Sequence, residues 1–99
     1  MLKVEKKLED DKLYVAVEGR LDTITSPDLE KEINESIEGV KELTIDFEKV
    51  EYISSSGLRV LLAEQKVMNK QGSMKLINVN DTIMEIFEVT GFTDILTIE

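Results

Sequence analysis

The stretch Leu43-Thr44-Ile45-Asp46-Phe47-Glu48-Lys49-Val50-Glu51-Tyr52-Ile53-Ser54-Ser55-Ser56-Gly57-Leu58 changes its hydrophobic period partway along. Leu43, Ile45 and Phe47 alternate with Thr44 and Asp46, the two-residue period of a short strand inside a small sheet. Beyond the turn from Val50 to Ser56, Leu58, Leu61, Leu62, Val67 and Met68 predict an amphipathic helix. Its cap must lie within Ser54-Ser55-Ser56 and its end is Gly72. A strand passing into a helix through three hydroxyls predicts an α/β domain with polar groups at the carboxyl end of a strand, the usual place for function in open α/β sheets.

Upstream, Leu2, Val4, Lys6 and Leu8 alternate, as do Leu13, Val15 and Val17 after an Asp10-Asp11 turn, which predicts a hairpin. Gly19-Arg20-Leu21-Asp22 ends its second strand. Ser26 is then expected as N-cap of a helix with Pro27 at its first position and Asp28 in its first turn. Leu29, Ile33 and Ile37 mark one face, and Gly39 closes it. Downstream, Met74 to Val79 reads as a strand, and Thr82 with Glu85 as a capping box for a last helix bearing Ile83, Ile86 and Phe87. Gly91 ends that helix, Phe92 packs back, and Ile95 to Ile98 is expected as a final strand. The order β-β-α-β-α-β-α-β predicts a mixed sheet in a single domain spanning 1–99. The hairpin is antiparallel, the later strands are parallel, and the helices after the third and fourth strands share one face.

Composition narrows the chemistry. Cysteine and histidine are both absent from the 99 residues. Disulfides, thiolate or imidazole metal sites, cysteine nucleophiles and serine–histidine triads are therefore excluded. Twelve basic against 21 acidic side chains give a formal charge of −9, which repels phosphate backbones and anionic lipid. Neither nucleic acid nor membrane is expected as a partner, and a protein partner is favoured. The opening Met-Leu-Lys-Val-Glu-Lys-Lys reads as neither signal peptide nor anchor, and the expected location is cytoplasmic. The glycines form neither a Walker loop nor a dinucleotide fingerprint, so no cofactor is expected.

Three successive serines followed by Gly57 exceed what capping needs, and the free N–H groups of a helix start favour an anion. The runs Gly19-Arg20-Leu21-Asp22, Leu43-Thr44-Ile45-Asp46-Phe47, Val50 to Leu58 and Gly91-Phe92 together resemble the STAS domain, specifically bacterial anti-sigma factor antagonists, over nearly the whole chain. In that family an Asp-Ser-Ser-Gly-Leu motif opens a helix, and the serine before the glycine is phosphorylated by a partner that is both anti-sigma factor and serine kinase. The resemblance implies phosphorylation at Ser56, with Ser55 as second choice, and a serine phosphatase that reverses it. The unphosphorylated form would bind the kinase and free the sigma factor. Ser54 stands where the family motif has aspartate. Asp22 matches a family position near the serine loop and is equally readable as a turn residue.

Ser54, Ser55, Gly57, Leu58 and Arg59 complete the candidate partner surface. Leu58 reads either as core or as the apolar centre of a docking patch, and Arg59 either as solvated or as a contact for phosphate or carboxylate. Two rivals differ in class. An acyl carrier would need Asp-Ser-Leu and an all-helical pattern, neither of which is present. A STAS scaffold or regulatory module of a signalling or transport complex would keep the fold without the switch. No enzyme is expected, since the spacing of Asp22, Asp46 and Glu48 does not call for carboxylate catalysis.

Overall fold

The computed structural model describes residues 2–99. In chain order it contains β1 (Lys3–Glu9), β2 (Lys12–Leu21), α1 (Ser26–Asn34), β3 (Glu42–Ile53), α2 (Ser55–Gln71), β4 (Ser73–Ile77) and α3 (Asp81–Thr90), then a 3-10 turn over Phe92–Asp94. The sheet order is β1-β2-β3-β4. The β1–β2 hairpin is antiparallel, while β3 runs parallel to both β2 and β4. This is the expected mixed α/β sheet.

Side-chain alternation decides which face is covered. Leu13, Val15 and Val17 of β2, Leu43, Ile45 and Phe47 of β3, and Met74 and Leu76 of β4 are buried on one face. Leu29 and Ile33 of α1, Leu61 and Met68 of α2, and Ile83 and Phe87 of α3 complete that core. The Phe47 and Phe87 rings lie 6.2 Å apart, so α3 joins the same layer as α1 and α2. On the opposite face Tyr14, Ala16, Thr44, Asp46 and Lys75 retain solvent contact. β1 is the exposed edge strand, with Leu8 56 % exposed. Its Lys6 reaches the carbonyl of Glu32 and the hydroxyl of Ser36 instead of packing as an apolar residue would.

β3 continues to Ile53, where the alternating pattern predicts an earlier end. Ala16 lies opposite Asp46 but Glu18 lies opposite Lys49, and Gly19 opposite Val50 but Arg20 opposite Tyr52. Each irregularity inserts one extra residue into β3. Phe47, Val50 and Ile53 are consequently all buried at intervals of three, which hides the strand from a period-two reading.

Three termini differ from expectation. Thr25, not Ser26, caps α1, and Ser26 lies inside the helix with its N–H on the Asp22 carbonyl at 2.9 Å. α1 ends at Asn34, before Ile37 and Gly39. Asn80 caps α3 in place of the Thr82–Glu85 box: its Oδ1 accepts from the Ile83 N–H at 2.9 Å, and its amide donates to the Val50 carbonyl at 3.0 Å. No final strand forms over Ile95 to Ile98, because the N–H groups of Ile95 and Leu96 both bond back to Phe92. Only a single parallel bridge, Leu76 to Ile98, remains. Gly91 ends α3 in the left-handed conformation with φ 80°, as expected, and Phe92 stacks on Phe87 at 6.5 Å.

Candidate functional site

Leu21 and Ile53, the last residues of β2 and β3, are partners in register. The segments that follow them therefore emerge side by side, and the Ser54 N–H donates to the Leu21 carbonyl at 2.8 Å. After β2, the Asp22 carboxylate accepts from the N–H groups of Ile24 and Thr25, each at 3.0 Å, and from the Thr25 hydroxyl at 3.1 Å. The Thr25 N–H, followed by the Ile24 N–H, holds this carboxyl below its usual range despite some burial. Asp22 thus shapes the turn from within. That turn presents Ile24 to solvent at 83 % exposure.

After β3, Ser54 occupies the N-cap of α2 in an extended conformation, but its hydroxyl makes no cap bond and is buried without a partner. Ser55 is exposed and Ser56 half-buried in the first turn. The Ser56 hydroxyl donates to the Thr23 hydroxyl at 3.4 Å, the one side-chain link between the two loops among the described residues. Gly57 is buried for a steric reason: a Cβ there would lie 2.7 Å from Ile53 Cγ1 and 3.1 Å from Leu21 Cβ. The helix start can therefore rest directly on both strand ends. Leu58 is 8 % exposed and belongs to the core, because the first turn of α2 directs it inward, so it offers no exposed apolar centre for docking. Arg59 is exposed.

From Ser56 a groove of about 490 Å³ runs between α1 and α2, bordered by Thr23, Ser26, Pro27, Arg59 and Val60, with Glu30 and Lys66 beyond. The chain's only two arginines both lie at this end of the molecule. Arg20 lies over the Tyr52 ring at 4.5 Å, and Arg59 borders the groove. No group of three or more acidic side chains suited to a metal ion occurs among the described residues, and no helix is long and apolar enough to cross a membrane.

Sequence reasoning passes over Ile24 and Thr23, which carry no periodic signal inside a turn. It also misses Glu64, 1 % exposed in the seam between α1 and α2. With its amide nitrogen turned inward, Asn34 donates to both Glu64 oxygens at 3.2 and 2.9 Å. Burial, then the nearby Glu30 charge, pushes this carboxyl up to about 7. The helical period could have found it, since Leu61, Glu64, Gln65 and Met68 fall on one face of α2. On the uncovered sheet face, Tyr14 donates its hydroxyl to Asp46, whose other oxygen accepts from the Glu48 N–H and the Asn78 amide. The bond to Asp46 raises the Tyr14 hydroxyl to about 12.

Comparison with known proteins agrees with this arrangement. The family model of the STAS domain matches residues 3–99. The chain is 31 % identical over 98 residues to the anti-sigma-B factor antagonist of Bacillus subtilis (strain 168), covering 98 % of this chain and 90 % of that one. An anti-sigma factor antagonist from Mycobacterium paratuberculosis has the same fold, with a TM-score of 0.89 at 23 % identity over 99 % of this chain and 85 % of that one. The Bacillus cell fate determinant SpoIIAA in its phosphorylated form aligns with a TM-score of 0.74 at 19 % identity, over 100 % of this chain and 91 % of that one. With a mixed four-stranded sheet, helices on one face and a serine-bearing helix start at the strand ends, the chain belongs to the STAS domain family.

Proposed function

We propose that the chain is an anti-sigma factor antagonist. In its unphosphorylated form it binds an anti-sigma factor that is also a serine kinase, so that the sigma factor is released. The observation that carries this reading is the Ser56 hydroxyl, half-buried in the first turn of α2 and tied only to Thr23 at 3.4 Å. Such a group is reachable by an external enzyme. In the switching step, Ser56 Oγ attacks the γ-phosphorus of a nucleoside triphosphate held by the kinase. The bond from that phosphorus to the β-phosphate bridging oxygen breaks, the nucleoside diphosphate leaves with the electron pair, and the hydroxyl proton passes to a base of the kinase. A serine phosphatase hydrolyses the ester and restores the binding form.

The sign of the switch follows from electrostatics. A phosphate adds about −1.5 to −2 charge, and the positive end of α2 stabilises that charge by about 0.3–1 kcal/mol, so the fold tolerates the modification. The cost falls on the complex, where an anion set into a desolvated contact opposes binding. Turning a mostly bound population into a mostly free one takes about 5.5 kcal/mol. The relatives named as antagonists support the role, and the phosphorylated form of SpoIIAA indicates that this fold can carry the group.

The test is incubation with the cognate anti-sigma kinase and ATP, followed by intact-mass measurement. A gain of one phosphoryl group that vanishes in Ser56→Ala is expected. A gain that persists in Ser56→Ala and vanishes in Ser55→Ala would move the site. No gain at all would leave a STAS scaffold as the function.

A further inference from the structure

We propose that the phosphoryl group on Ser56 docks onto its own molecule, in the mouth of the α1–α2 groove, where Arg59 and the hydroxyls of Thr23 and Ser26 receive it. The inference rests on the phosphorylation reading above and adds a receiving site to it.

Four observations converge. Ser56 and Arg59 are three residues apart on α2 and so are neighbours on the helix surface, and both border the same groove. Arg59 makes no ion pair or hydrogen bond among the described residues, although the chain carries a formal charge of −9. A guanidinium fork suits phosphate oxygens better than a point charge does. The Thr23 hydroxyl already meets the Ser56 hydroxyl at 3.4 Å and needs only to rotate to donate to a phosphate oxygen. Finally, Ser26 borders the groove at 1 % exposure, and its hydroxyl has no hydrogen-bond partner. An unpartnered buried hydroxyl costs free energy, and an incoming acceptor removes that cost.

The other charges near the seat do not reverse its sign. Glu30 and Lys66 border the groove and oppose each other in charge. Asp22 is occupied by its own turn, and Asp28 lies in the first turn of α1. Docking would turn Arg59 from an unpaired cation into part of a neutralised pair and would fill the groove mouth. Phosphorylation would then both add an anion and withdraw Arg59 from any partner.

The experiment uses the full chain with phosphoserine installed at position 56 during translation, so its outcome does not depend on whether any kinase modifies Ser56. The second ionisation of the phosphate is followed by phosphorus NMR titration. Arg59→Gln is expected to weaken this acidity by about threefold, the scale of a partly exposed ion pair, and Thr23→Val by less. Lys75→Gln, on the uncovered sheet face, removes the same charge at a distance and is expected to change it little. A shift in Arg59→Gln no larger than that in Lys75→Gln would overturn the proposal. Arg59→Lys, which keeps the charge but not the fork, should recover part of the acidity, and an unchanged titration across all these variants would also sink it.

Discussion

The Ser54 N–H donates to the Leu21 carbonyl at 2.8 Å, which fixes the start of α2 against the end of β2. Gly57 lets this junction close, since a Cβ at that position meets Ile53 and Leu21 at 2.7 and 3.1 Å. Gly57→Ala should destabilise the fold by about 1–2 kcal/mol, the overpacking cost outweighing the better helix propensity of alanine. Urea unfolding measures this, and an unchanged or raised midpoint would contradict the packing argument.

Ser54 caps α2 by position but not by hydrogen bond, and its hydroxyl lies buried without a partner. Ser54→Asp places a carboxylate at the positive helix end, where it can accept from the first-turn N–H groups. A gain of about 0.5–1 kcal/mol is expected. Thermal unfolding at neutral pH in low salt should show it, and added salt should reduce it.

Glu64 sets the pH dependence above the acid range. The folded state holds its proton up to about 7, whereas the unfolded chain releases it near ~4.3. The folded state therefore binds more protons within this window, and stability falls as pH rises through it, levelling off above about 7. The expected loss is about 3–4 kcal/mol. Glu64→Gln removes the charge and keeps an amide partner for Asn34, so its urea midpoint at pH 8 should exceed that of the parent, and the difference should shrink steadily as pH falls from about 7 toward about 4. Asp46 acts in the opposite direction. Burial favours its neutral form, but the Tyr14 hydroxyl and the Glu48 N–H hold it below its usual range, so its contribution is present above its unfolded value and is lost as pH falls through its folded value.

Ile24, at 83 % exposure beside the serine loop, touches little of its own molecule. Ile24→Ser should leave unfolding within about 0.5 kcal/mol of the parent. Under the proposed function it should weaken capture of the anti-sigma partner by about tenfold or more, as for an apolar anchor at an interface. Titration calorimetry against that partner checks both the direction and the size.

Much of this architecture is legible in the sequence because burial imposes a period. Leu13, Val15 and Val17, then Leu29 and Ile33, then Leu61 and Met68 announce their elements, and Gly72 and Gly91 announce where two helices stop. What escapes detection has a physical reason in each case. Two inserted residues break the alternation of β3 after Phe47. Asn80 caps α3 with its own side chain on the Ile83 N–H and is held there by its amide on the Val50 carbonyl, a contact distant in sequence. The C-terminal segment has strand-forming residues, but its N–H groups are taken by the Phe92 turn. At the site, Ser54, Ser55 and Ser56 are visible as a run of hydroxyls. The facing surface of Thr23, Ile24 and Ser26 comes from a turn whose geometry depends on Asp22.

The paired insertions in β3 act as a spacer with a fixed phase. Deleting one residue between Phe47 and Ile53 would rotate everything after it by half a pleat, turning Ile53 outward and swinging the serine run away from Thr23. Individual side chains along this segment can vary within the limits of packing, but its residue count cannot. The reach of the hydroxyl at position 56 is thus gauged by chain length inside the sheet.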